Sequence, residues 1–292
     1  MCFFVILTHL DFYGKNYING IIDIAVPIFF MISGYFFYTN NIIKERSTIK
    51  KNLKNIFYLL LKSSLLYLLW RLFLIIISEY ELNLKFLDIT TCDNALGAHL
   101  WYLHAYIYML LATLILSYFG FKLSSPKIIP FILIALHLFL GQSENTYYVK
   151  FILRVFCTAM AFWGYGIFCR KYLIPKSLYS SLIILGILLC ICQNTIHFYT
   201  HHQGYSLGTI ILALGIFPLF KDFTIKKSYI SSIGMKHSMH IYIVHSIFID
   251  ILGFIEKKVP NYIPIGIAIN PVVVFILSIL TSTFYSKLKK MI

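Results

Sequence analysis

The sequence predicts an all-α, polytopic transmembrane bundle of about ten helices, forming one membrane domain over residues 1–292. Three observations predict it. Charged residues make up 12% of the chain, hydrophobic residues 59%, and mean hydropathy is +0.80, whereas a soluble domain carries roughly 25% charged residues. Apolar runs of transmembrane length recur from one end to the other, with no polar block large enough to fold alone. Basic residues gather in alternate loops, as they do in membrane proteins whose short cytoplasmic loops retain Lys and Arg.

These properties exclude a soluble globular enzyme. The formal net charge of +14, from 25 Lys plus Arg against 11 Asp plus Glu, would suggest nucleic acid in a soluble protein. In a membrane protein it is first a topology signal, and no nucleic-acid partner is expected. The six cysteines, Cys2, Cys92, Cys157, Cys169, Cys190 and Cys192, are scattered without a CxxC pair or metal-ligand spacing, so neither a disulfide framework nor a metal is expected. The N-terminus lacks the basic region of a cleavable signal peptide.

A helix needs about 20 residues to span. The runs place helices near 18–38, 56–77, 100–119, 128–140, 151–169, 178–196, 205–220, 233–254 and 263–285, after a partial run that opens the chain. Pro27, Gly34 and Pro218 fall inside these runs, as expected where a bundle has bends or cavities. The opening run, Met1 to Tyr13, rises only about 20 Å as a helix against a hydrocarbon core of about 30 Å. The expectation is a first helix that has lost roughly a dozen residues, with a re-entrant segment as the alternative.

Ten segments make the charge bias testable. Lys44, Arg46, Lys50, Lys51, Lys54, Lys122, Lys127, Arg170, Lys171, Lys176, Lys221, Lys226, Lys227, Lys236, Lys287, Lys289 and Lys290, 17 in all, lie on one side. The other side holds Lys15, Lys85, Lys150, Lys257 and Lys258, and its longest loop carries Glu79, Glu81, Asp88 and Asp93. Both termini are therefore expected in the cytoplasm.

Ionisable residues inside spans are costly and are functional candidates by default. Depth sorts them: His9, Asp23, Arg71, His104, Arg154 and Asp250 all fall in the outer half. A base, cations and carboxylates at one depth are what a buried polar site needs; the competing reading, strongest for Asp23 and Arg154, is snorkelling to the outer headgroups. Lys62 reads as a snorkelling lysine, and His137, His237 and His240 as packing or interfacial histidines. His197, His201 and His202 have helical metal-ligand spacing without a carboxylate nearby, and read as a structural loop. The segment Asn40 to Asn55 has five basic residues and one acid interleaved with Ile42, Ile43, Ile49 and Leu53. It suits either an anionic lipid surface, which its composition favours, or the phosphates of a nucleotide-bearing donor.

Five stretches then carry a resemblance. ILTHLDFYG (6–14) followed by DIAVPIFFMISGYFF (23–37), HLWYLHAYIYMLL (99–111), FWGYGIFCRKY (162–172) and GMKHSMHIYIVH (234–245) resemble, in that order and over almost the whole chain, the acyltransferase-3 family of integral membrane O-acyltransferases. If His9 matches the family's histidine, its partner arginine, separated from it by ten residues, falls before Met1. The resemblance implies a bacterial inner-membrane protein that transfers an acyl group, most often acetyl, from a coenzyme A thioester to a hydroxyl of a cell-surface glycan or its lipid-linked precursor. Acetyl-CoA or another acyl-CoA is then a donor substrate and no cofactor stays bound; membrane lipids are the other partner, and oligomeric state is unreadable.

Under that resemblance His9 takes the proton of the acceptor hydroxyl or carries the acyl group, and Arg71 or Arg154 steadies the oxyanion. Asp23, Ser33, Gly34, Trp101, His104, Tyr242 and His245 are the substrate-binding candidates. Ser33 is a poor nucleophile because it lies on the other half of the membrane from His9. Lys44, Arg46, Lys50 and Lys51 are expected at the donor phosphates. The competing readings are a glycan polymerase or exporter, for which the longest outer loop of about twenty residues is short; a small-molecule transporter, whose paired inverted repeats are missing; and an inactive truncated acyltransferase.

Overall fold

The computed structural model describes residues 1–39, 41–78, 96–121, 127–142, 146–196, 204–222, 229–259 and 263–291. The acidic loop with Glu79, Glu81, Asp88 and Asp93, and the trio His197, His201 and His202, lie outside them. The described chain is helical: α1 (Cys2–His9), α2 (Lys15–Ile22), α3 (Ala25–Phe37), α4 (Ile42–Ser78), a 3-10 turn (Ala98–Leu100) leading into α5 (Trp101–Tyr118), α6 (Ile129–Leu140), and α7 (Tyr147–Ile152). A π-helical stretch (Leu153–Met160) joins α7 to α8 (Ala161–Lys171), and α9 (Lys176–Ile196), α10 (Leu207–Asp222), α11 (Tyr229–Lys258) and α12 (Ile263–Met291) follow. Seven described segments are long and apolar enough to cross a membrane, and two shorter apolar helices, Ile129–Leu140 and Leu207–Lys221, accompany them. With α1, they correspond one for one to the ten segments expected.

Two expected boundaries shift, each for a physical reason. The run at 18–38 is two helices, α2 and α3, because Pro27 has no N–H to return to the Asp23 carbonyl four residues earlier. Regular bonding runs up to Asp23 N–H on the Asn19 carbonyl and resumes with Ile28 N–H on the Ile24 carbonyl. The helix expected at 56–77 begins earlier: residues 42–55 of the basic stretch form the first turns of α4, which at 37 residues rises about 55 Å, well beyond the hydrocarbon core. Asn41 starts it by accepting hydrogen bonds from the backbone N–H groups of Ile43 (2.8 Å) and Lys44 (3.2 Å).

Packing sorts the helices into centre and rim. The spans 15–37, 98–118 and 148–171 are mostly buried inside the protein, whereas 43–77 is 17% buried and turns its apolar face outward. Lipid tails are as apolar as leucine, so close backbone contact has to hold such a core together. At the α3–α8 contact a Cβ on Gly34 would strike the Trp163 carbonyl, and one on Gly166 the Met31 carbonyl. The two glycines thus admit each other's helix. Pro218 in α10 leaves the Leu214 carbonyl without its helical donor, and the Tyr165 hydroxyl on α8 donates to it at 2.8 Å.

Candidate active site

The candidate site lies at one end of α5, where α1, the α2–α3 break, the π-helical stretch and α11 meet. A left-handed Gly14 (φ 84°) turns the chain after α1 and sends it into α2. His9 is the last residue of α1 and is exposed. It faces a chamber of about 130 Å³ lined also by Asp23, His99, Trp101, Tyr102 and Tyr242. A second chamber of about 340 Å³ is lined by Asp23, Trp101, Lys150, Arg154, Thr158 and Tyr205. The two share Asp23, Trp101 and Tyr205, so they adjoin.

Each wall has a local cause. The helix break at Pro27 puts Asp23 at the junction of both chambers. π-Turns widen a helix and recur at functional sites, and this one carries Arg154, whose guanidinium lies 5.3 Å from the Trp101 ring centre. His137 anchors the far wall. Its Nε2 accepts the Tyr205 backbone N–H at 2.8 Å, which leaves Nδ1 as the protonated nitrogen, 3.3 Å from the Thr158 hydroxyl. His137 is thus a packing histidine that holds Tyr205 at the cavity.

Three imidazoles meet at the smaller chamber, His9 and His99 on its wall and His245 behind them. The His245 ring centre is 5.5 Å from that of His9 and 5.0 Å from that of His99. His245 is fully buried, with Nδ1 2.7 Å from the Tyr242 carbonyl oxygen. The Tyr242 hydroxyl donates to the His99 carbonyl, and Tyr67 on α4 donates to the Ile243 carbonyl at 2.5 Å. Among the described residues no three His, Cys, Asp or Glu side chains are placed to hold a metal ion.

The structure therefore gathers His9, Asp23, Trp101, Arg154 and Tyr242 around the two chambers, with His245 directly behind. It places the other candidates elsewhere. Arg71 pairs with Asp250 (Nη1 to Oδ2, 3.4 Å) and donates from Nε to the Leu96 carbonyl at 3.1 Å, while Trp70 donates to the same carboxylate at 2.9 Å. Ser33 sits by the hydroxyls of Tyr102 and Tyr106, Gly34 serves the α3–α8 contact, and His104 is buried in α5 and lines neither chamber. Arg46 reaches the opposite end of α5, donating to the Ser117 carbonyl and lying 4.8 Å from the Tyr118 ring centre; Lys50, one turn on, is 5.8 Å from the same ring. Lys44 and Lys51 are exposed. His99, Tyr205, Thr158 and Lys150 were not singled out from sequence. Only His99 left a signal there, two residues before Trp101 in HLWYLH.

Comparison with curated proteins and with solved structures finds no match. The family model described as an acyltransferase domain matches residues 1–286, nearly the whole bundle and all of the site just described. The chain belongs to the acyltransferase-3 family and is a multi-pass membrane acyltransferase.

Proposed function

We propose that this acyltransferase moves an acyl group, most simply acetyl, from a coenzyme A thioester to a hydroxyl of a cell-surface glycan or its lipid-linked precursor, in the cytoplasmic membrane with both termini inside. One observation carries the reading: His9, Asp23 and Arg154, from three separate elements, converge on adjoining chambers at one end of the bundle. In this scheme His9 takes the proton of the acceptor hydroxyl, the oxygen attacks the thioester carbonyl carbon, and Arg154 steadies the oxyanion. The C–S bond then breaks and the departing thiolate takes the proton back from His9. Trp101 and Tyr242 offer the ring surface and hydroxyl that suit a sugar.

Phosphate favours the other end. There Arg46 and Lys50 share one face of α4, and Lys44 and Lys51, seven apart, share another. Along α4 the rise from Lys50 to Tyr67, which stands 4.9 Å ring to ring from His99, is about 25 Å. The pantetheine arm has to bridge that distance. Mass spectrometry of surface glycans from cells carrying the wild-type chain or His9→Ala tests the reading. Acyl mass on the glycan that disappears with His9→Ala, while the variant still inserts, is the expected result. Acyl mass undiminished by the change removes His9 from the chemistry, and none from the wild type removes the glycan acceptor.

A further inference from the structure

The buried side of the His9 chamber poses a hydrogen-bonding question that the acyl-transfer scheme leaves open. The carbonyl of Tyr242 can only accept, so the His245 nitrogen 2.7 Å from it, Nδ1, is the protonated one. Nε2 of His245 is then a lone-pair acceptor. It is fully buried and has no hydrogen-bond partner among the described residues, a state that ordinarily costs free energy comparable to a lost hydrogen bond. A buried acceptor of this kind calls for a donor.

The His99 ring is nearer, with its centre at 5.0 Å, but it is buried, packs edge-on, and its own Nε2 is likewise without a partner among the described residues; the exposed ring able to turn an N–H toward His245 is His9. An imidazole nitrogen lies about 1.1 Å from its ring centre, so two rings sharing an N–H···N bond of about 3 Å have centres about 5.2 Å apart. The observed separation is 5.5 Å with the ring planes tilted by 34°. A small turn of the exposed His9 ring closes that gap, and hydrogen bonds at reacting groups commonly tighten when substrate binds. His99 packs edge-on against His245 at 70° and limits how far the ring can swing away.

We infer that His245 is a positioning residue for His9: its Nε2 accepts the N–H of one His9 nitrogen, so that the other His9 nitrogen presents its lone pair to the chamber. The chain runs from the Tyr242 carbonyl through His245 to His9, and a buried group that fixes the tautomer and aim of a base is how such bases are commonly oriented. When His9 gains a proton on its outer nitrogen, the N–H facing His245 becomes a stronger donor, and the bond stabilises the imidazolium. The proton that His9 takes and returns is the one already counted in the acyl-transfer scheme, on which the catalytic part of this inference rests.

The test uses the full chain in lipid nanodiscs with two substitutions of opposite character. His245→Phe keeps a ring in place and removes the acceptor; His245→Gln loses the ring but keeps an acceptor oxygen at the depth of Nε2. The expected result is a kcat about 10- to 100-fold lower for His245→Phe, KM values for donor and acceptor within about threefold of wild type, and substantial recovery in His245→Gln. A packing role alone reverses the order, with Phe the milder change, and that order overturns the inference. Carbethoxylation of His9 by diethyl pyrocarbonate, followed by peptide mass spectrometry, reads the same pairing without any acyl transfer. Slower modification of His9 in His245→Phe than in His245→Gln supports the pairing even if the glycan reading fails; equal rates overturn it.

Discussion

Among single residues, Arg154 and Arg71 separate cleanly although both are membrane-depth arginines. Arg154 borders the larger chamber beside Trp101, whereas Arg71 is held by Asp250 and the Leu96 carbonyl. We predict that Arg154→Gln lowers turnover about 100- to 1,000-fold, the usual cost of removing one oxyanion donor, with thermal stability unchanged. Wild-type turnover would return Arg154 to headgroup snorkelling. Arg71→Met is expected to act on stability instead, by about 3 kcal/mol, because it leaves the Asp250 carboxylate with the Trp70 N–H but without its cation. Adding Asp250→Asn should restore most of the loss in a detergent melting experiment, and a single variant that melts like wild type would remove the ion pair from the account.

The packing of elements turns on backbone contact. Because the Trp163 carbonyl stands where a Gly34 side chain would go, Gly34→Ala has no flexible neighbour to displace and must move α3 from α8. A cost of about 1–3 kcal/mol is expected. It should appear as a lower melting temperature with loss of activity only in proportion to the folded fraction. A specific loss of turnover at unchanged melting temperature would instead place Gly34 at the substrate. For the first turns of α4, neutralising Lys50 and Lys51 together is expected to raise the donor KM more than it lowers kcat, measured in steady-state kinetics; an unchanged donor KM would assign those charges to lipid.

The two ends of the whole molecule differ in character. Arg46 and Lys50 meet the C-terminus of α5, while His99, Trp101 and Tyr102 stand at its beginning, and 18 residues of helix between them rise about 27 Å. If the basic end is cytoplasmic, a cysteine at Ser177, on the first turn of α9, should react with an impermeant maleimide only after the membrane is opened. One at Asn16, on the first turn of α2, should react in intact cells. The reverse pattern would invert the topology and put the chambers on the cytoplasmic face.

Much of the architecture was legible beforehand because hydropathy and charge are sums over local windows. The ten apolar segments, the basic end and the common depth of His9, Asp23 and Arg154 all follow from such sums. Proline chemistry could have shown the break at Asp23, since Pro27 lies four residues on. The π-turn at Leu153–Met160 left no signal, because nothing in LRVFCTAM distinguishes it from an ordinary helical run. Arg71 and Arg154 looked alike for a similar reason: depth is read from position in a span, but the partner is read from rotation.

The sequence by itself determined that this chain lives in a bilayer, roughly where it crosses, and which family it belongs to. Tertiary structure alone decided that His9, His245 and His99 stand side by side, that Arg71 belongs to Asp250, and that Asp23 serves two chambers. Those facts depend on how each helix is turned about its axis and how closely it approaches its neighbours. Contacts such as Gly34 on Trp163 set that rotation and approach, between residues far apart in the chain.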